Sequence, residues 1–190
     1  MIEKLVAEQL EPRAQALVDK YKGKTLILIA GGRTVWDDFA RFTGNNWHSE
    51  WDVMAVNDVG MFYDRPLEHW FSLHGDQIPM WSVVRQFHFP AAKYRHSTKD
   101  RDPSCIGWPV PTIGSGAYAG ANVGLCLGYD LIVLCGAPLD DNGHFFDPPW
   151  KKSNFTREAR HDRWITSRDT IWEGRVKSMS GYSRDILGEP

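Results

Sequence analysis

Apolar residues at Ile2, Leu5, Val6 and Leu10, and again at Ala14, Leu17, Val18 and Tyr21, recur with helical spacing. The chain is therefore expected to open with helix, with Pro12 in a first turn and Gly23 as a cap. The pattern then changes. Thr25 to Ala30 is one continuous apolar run, too short for an independent helix and too uniform for a half-exposed strand, which predicts a buried parallel strand. Gly31 and Gly32 end it, and helical spacing resumes at Val35, Trp36 and Phe39. The same grammar recurs at Asp52 to Asn57 and at His69 to His74, the latter followed by a helix through Trp81, Val84 and Arg85. Lys93 to Pro111 reads as polar, proline-bounded loop. Gly114-Ser115-Gly116 then opens a helix of very small residues ended by Gly128, in which Gly120 and Gly124 allow close approach to a sheet, and Leu131 to Cys135 is another apolar strand.

Strands alternating with helices predict a three-layer Rossmann-like α/β domain built on a parallel sheet. Residues 1–150 form its core. Residues 151–190 read as an extension of the same domain: a basic helix from about Thr156 to Trp172, a short strand at Arg175 to Ser178 and a closing helical turn. Forty residues bury too little core to stand alone.

Composition narrows the picture. No apolar stretch approaches the ~18 residues of a membrane span, and the first residues lack the basic and apolar regions of an export signal. Three cysteines, Cys105, Cys126 and Cys135, without CxxC or Cys/His pairing, fit neither a disulfide framework nor a structural zinc site, so a cytoplasmic setting is expected. The 22 basic and 24 acidic side chains give a net charge of −2, which argues against nonspecific nucleic-acid binding. That charge is uneven, since residues 151–190 carry 9 basic and 6 acidic side chains. Of nine tryptophans, Trp36, Trp47, Trp51, Trp70, Trp81, Trp108 and Trp150 fall at element ends or in loops, where they either wall a cleft or simply fill a small core.

In an open parallel sheet, ligands bind beyond the carboxyl ends of the strands. This selects Gly31, Gly32, Arg33 and Thr34 after the first strand, Asn57 and Asp58 after the second, and His74, Gly75 and Asp76 after the third. It also selects Gly136, Asp140, Asp141, Asn142 and His144 after the strand ending at Cys135, facing the Gly114-Ser115-Gly116 turn. The glycine turn and the Ser115-Gly116 helix start can receive a phosphate on backbone amides, or serve only as a tight turn and an N-cap. Asn57-Asp58 suits a base edge or sugar hydroxyl, or an Asx turn. His74 and His144 are candidate general bases. Lys151, Lys152, Arg157, Arg160, Arg163 and Arg168 make either a solvated helix face or a lid over phosphate. Asp100-Arg101-Asp102 has the letters of a metal-binding DxD motif but no apolar strand before it, so no metal is expected. Should a metal prove necessary, Asp100 with Asp102, or Asp140 with Asp141, are its candidate ligands.

The glycine turn, the strand ending in Asn57 and above all the segment from Gly114-Ser115-Gly116-Ala117-Tyr118 to LGYDLIVLCGAPLD resemble the bacterial lipooligosaccharide sialyltransferases. They are also similar to the archaeal hydroxymethylpterin diphosphokinase-like group and to phage and prophage proteins. The HFF within Gly143 to Asp147 and the closing VKSMSGYSRDILGEP resemble the phage set most. The resemblance covers residues 25–147 and is specific over 114–139. It implies a nucleotide-activated sugar handled without metal or other cofactor, nucleotide contacts at Gly31, Gly32, Asn57, Ser115 and Gly116, and a histidine base, His144 or His161. A phage origin would place the protein in the host cytoplasm. The family's phosphate-binding tyrosine pair has no counterpart in APLDDNGHFF. The expectation is thus a metal-independent, glycosyltransferase-like enzyme acting on a small-molecule nucleotide-type ligand. The alternatives are a phage accessory protein with a nucleotide pocket and no catalysis, or diphosphate transfer to a small heterocycle.

Overall fold

The computed structural model describes residues 9–46, 50–98, 102–152 and 158–190, excepting the side chains of 158–160. In chain order the elements are α1 (Pro12–Gln15), β1 (Thr25–Ile29), α2 (Val35–Asn45), β2 (Trp51–Val56), β3 (His69–Ser72), α3 (Ile78–Gln86), β4 (Tyr94–Thr98) and β5 (Ile106–Trp108). These are followed by α4 (Gly116–Cys126), β6 (Leu131–Cys135), α5 (Glu158–Thr170), β7 (Val176–Ser178) and α6 (Gly181–Leu187). Among the described residues the strands form one seven-stranded sheet in the order β5-β4-β3-β2-β1-β6-β7, and every pairing is parallel. This is the Rossmann-like α/β architecture that the alternation of patterns predicts.

The apolar runs are two-faced, as a sheet covered on both sides requires. Leu26, Leu28, Met54, Val56, Ile132 and Leu134 pack into one layer with α4. Ile27, Ile29, Val53, Ala55, Val133 and Cys135 pack into the other with Val35, Phe39 and Phe42 of α2. Helix α4 is buried along nearly its whole length because α5 covers its outer side, with Trp164 and Trp172 against Tyr118. A Cβ at Gly124 would lie 2.8 Å from both Leu26 and Ile132, so only a glycine lets α4 sit this close to the sheet. β7 pairs with β6, so the last forty residues complete the sheet.

Two expectations are corrected. The opening segment is helical only at Pro12–Gln15 among the described residues, although Ala14, Leu17 and Tyr21 are buried as their spacing implies. Asp19 adopts a positive φ of 59°, and the N–H groups of Asp19 and Tyr21 bond to the carbonyls of Cys126 and Leu127 at the end of α4 instead of continuing a helix. The polar stretch Lys93–Pro111 holds two strands, β4 and β5, whose polar residues His96 and Ser97 are buried and hydrogen-bonded. The tryptophans divide between the two readings: Trp70, Trp81 and Trp108 fill the core, Trp51 lines a second cleft with Tyr63, Arg65 and Lys93, and Trp150 is exposed. Ile2, Leu5, Val6, Trp47, Asp100, Arg101 and Arg157 lie outside the described residues.

Candidate active site

Chain order places α2 after β1 on one face of the sheet and α5 after β6 on the other, so the turns beyond β1 and β6 diverge and leave a crevice. It is a cleft of about 390 Å³ lined by Ala30, Gly31, Gly32, Ser115, Ala117, the segment Gly136–Asp140, and Asn142, Gly143 and His144. Candidates read from three separate stretches of sequence thus converge here.

The walls are braced by backbone. The N–H of Gly32 donates to Gly136 O at 2.8 Å, and that of Phe145 donates to Gly31 O at 2.9 Å, laying the segment around His144 antiparallel on the first glycine turn. Gly136 has φ +71°, and a Cβ there would lie 2.4 Å from Ala30 O. The buried Asp38 carboxylate accepts from Gly136 N–H (3.0 Å), Thr34 hydroxyl (2.9 Å) and Ser180 hydroxyl (2.6 Å). Thr34 therefore serves the floor of the cleft rather than a ligand.

At the mouth His144 rests on Gly31, where an added Cβ would come within 2.7 Å of His144 Cδ2. Its ring stacks on Phe146 at 5.3 Å and 4°. Its Nδ1 lies 3.3 Å from Asp147 Oδ2, whose oxygen also accepts the His144 N–H at 2.8 Å. With Asp147 ionised, Nδ1 carries the proton and Nε2 is a free acceptor. Lys151 donates to Asp147 Oδ1 at 2.7 Å, and this bond, with the His144 N–H, holds the Asp147 carboxyl down to about 2. Arg33 donates to the carbonyls of Asp147 and Pro148. Lys151 and Arg33 thus fasten the loop carrying His144, and neither lines the cleft. Asp58, half-buried, has its pKa raised by desolvation, while the charge of nearby His144 opposes that rise.

The other candidates fall elsewhere. Ser115 lines the cleft and also caps α4, its Oγ accepting from Tyr118 N–H at 3.3 Å, which leaves the hydroxyl proton free to donate. Gly116 packs α4 against β2, since a Cβ would meet Val56 at 2.7 Å. Asn57, at φ 59°, accepts from Ser72 hydroxyl on Oδ1 and from Trp70 N–H on its carbonyl, which makes it the exit turn of β2. His74 is exposed beyond β3, outside the cleft lining. His161 packs against Tyr182 with ring centroids 4.2 Å apart and planes tilted by 34°, and its buried Nε2 has no hydrogen-bond partner among the described residues. Asp140 is engaged by Asn142, Asp141 by Lys152, and Asp102 caps its own turn at Ser104. Among the described residues, no three His, Cys, Asp or Glu side chains cluster as a metal site. The side chain of Arg160 is not among those described.

Asp147 was not anticipated, although its position three residues after His144 was a usable signal. A second missed group lies toward the amino ends of β2, β3 and β4. Trp108 Nε1–H donates to His96 Nδ1 (3.0 Å), which puts the His96 proton on Nε2 and directs it to His69 Nδ1 (2.9 Å). His69 Nε2–H then donates to the Tyr129 oxygen (2.9 Å), and Tyr129 O–H donates to Asp52 (2.9 Å). Burial pushes His69 down to about 3 and His96 well below its ordinary value.

The fold and cleft define a Rossmann-like α/β protein with a glycine-walled site at its topological switch point. Comparison with protein-family models, with curated proteins and with solved structures finds no match for the chain. Among the described residues no helix is long and apolar enough to cross a membrane.

Proposed function

We propose that the chain is a metal-independent, glycosyltransferase-like enzyme that holds a nucleotide or nucleotide sugar in the switch-point cleft, with His144 as general base. The observation that carries this reading is the His144–Asp147 pair, seated on Gly31 at the mouth of the cleft with Nε2 unengaged. Phosphate oxygens are received by the first-turn amides of α4 and by the Ser115 hydroxyl, the amides of Gly32 and Gly136 being engaged within the wall, so no lysine or arginine is required there. In the transfer step His144 Nε2 takes the proton of an acceptor hydroxyl as its oxygen bonds to the anomeric carbon. The bond from that carbon to the phosphate oxygen breaks, and the nucleotide leaves with the electron pair. The imidazolium formed is balanced by the Asp147 carboxylate at Nδ1.

The test is a thermal-shift screen of nucleotides and nucleotide sugars, since a ligand at 100 times its Kd stabilises by roughly 2.7 kcal/mol. Any ligand found is then assayed for transfer with His144→Ala beside the wild type. A shift without turnover under any acceptor favours the non-catalytic pocket protein, and no shift with any nucleotide overturns the reading.

A further inference from the structure

We propose that the outward face of α3 joins two copies of this chain across a two-fold axis. This helix is inverted. Its one charged residue, Arg85, is fully buried, whereas Met80, Val83, Val84 and, just past the helix end, Phe87 are 59, 58, 45 and 77% exposed. Those four positions follow the i, i+3, i+4, i+7 spacing of a single helical stripe. Water-facing helices of a monomer carry the opposite pattern.

The helix cannot roll to hide the stripe. Ile78, Trp81, Ser82 and Arg85 form its inward face. The Arg85 guanidinium donates there to the carbonyls of Gly60, Tyr63, Arg65 and Pro90. Rotation would strip four buried acceptors of their donor and leave an unpaired cation inside. The rotational setting of α3 is therefore fixed, and the apolar stripe faces outward as a consequence.

A second copy is the occupant that fits. The stripe contains no charge, so its partner must be uncharged and apolar, and an isologous contact supplies that surface by symmetry. Laid antiparallel on itself, the stripe puts Val83 and Val84 near the axis and Phe87 of each copy over Met80 of the other, as ridges pack between helices. The four residues expose on the order of 400 Å², so the pair removes at most about 850 Å² from water, which places the contact in the small, transient class of interface. A net charge of −2 gives little repulsion between copies. The dimer is accordingly weak and dissociates on dilution.

Sedimentation velocity from about 5 to about 500 µM spans the affinities expected of so small an interface. The mass should rise with concentration from the 21.7 kDa of one chain toward twice that value. Val84→Glu, at an exposed position, should hold it at one chain throughout with an unchanged Tm. Val83→Cys should form a disulfide-linked dimer under mild oxidation, the native cysteines being buried. A wild type that stays monomeric at the highest concentration overturns the proposal, as do a dimer indifferent to Val84→Glu and growth past two chains. A monomer whose Val84→Glu variant loses binding to lipid vesicles assigns the stripe to a membrane surface instead.

Discussion

At the carboxyl ends of the strands His144 keeps one ring nitrogen open to the cleft, whereas toward the amino ends His69 and His96 have all four ring nitrogens engaged within the core. The two settings use the same side chain to opposite purposes. Asp147 polarises one nitrogen of His144 and leaves the other for chemistry. Trp108 and Tyr129 close both ends of the His69–His96 pair, so the imidazoles there satisfy buried polar groups and hold β3, β4 and β5 in register. What distinguishes a reactive histidine from a structural one is thus whether its second nitrogen already has a partner.

The comparison breaks most sharply by truncation. His144→Ala should lower turnover ~10² to 10⁴-fold while leaving the nucleotide thermal shift and the urea midpoint unchanged. His96→Ala should do the reverse at the amino end, costing ~3–5 kcal/mol in equilibrium unfolding because it leaves a cavity and orphans Trp108 N–H and His69. If the two variants exchange phenotypes, the assignment of roles is wrong.

Acid sharpens the same contrast. Unfolded, His69 and His96 take protons near the ordinary value of 6.5, but folded His69 does so only at about 3 and folded His96 only well below its ordinary value. The unfolded state binds more protons across that window, so this stability is complete above pH 6.5 and is lost as pH falls below it. By pH 5 His69 alone should have cost about 2 kcal/mol, with His96 acting in the same direction, readable as a falling urea midpoint between pH 7 and 5, above the main carboxylate range. The smallest effect belongs to the exposed Lys152–Asp141 pair at 3.5 Å: Lys152→Ala should change stability by less than ~0.5 kcal/mol by chemical denaturation.

The legible parts of this fold are those where burial acts on both faces at once. β1, β2 and β6 announce themselves as unbroken apolar runs, and the Ser115-to-Gly128 segment as a helix small enough to press on them. β4 was hidden because its sequence, YRHST, buries polar groups whose partners, Trp108 and Ser72, come from other strands. In the site, the rule that ligands gather beyond strand ends found Gly31, Gly32, Ser115, Asn142 and His144 without any pairwise information. It could not show that Thr34 and the Asn57 Oδ1 are engaged by the protein itself, nor that Lys151 and Arg33 are consumed in fastening the loop that carries His144.

Both outer strands of the sheet are closed by the chain's own extremities. The outward N–H of Gly107 in β5 donates to the Glu11 carboxylate at 2.8 Å, with Arg13 bonded to the carbonyls of Pro103 and Cys105 beside it. At the opposite edge, Ser178 N–H in β7 donates to Gly188 O at 3.0 Å, and Lys177 reaches Leu187 O. An exposed edge is a template on which a foreign strand can polymerise. Here each template is occupied by a terminal segment, so resistance to fibrillar aggregation depends on residues remote from the core, and trimming either end uncovers a strand ready to recruit another.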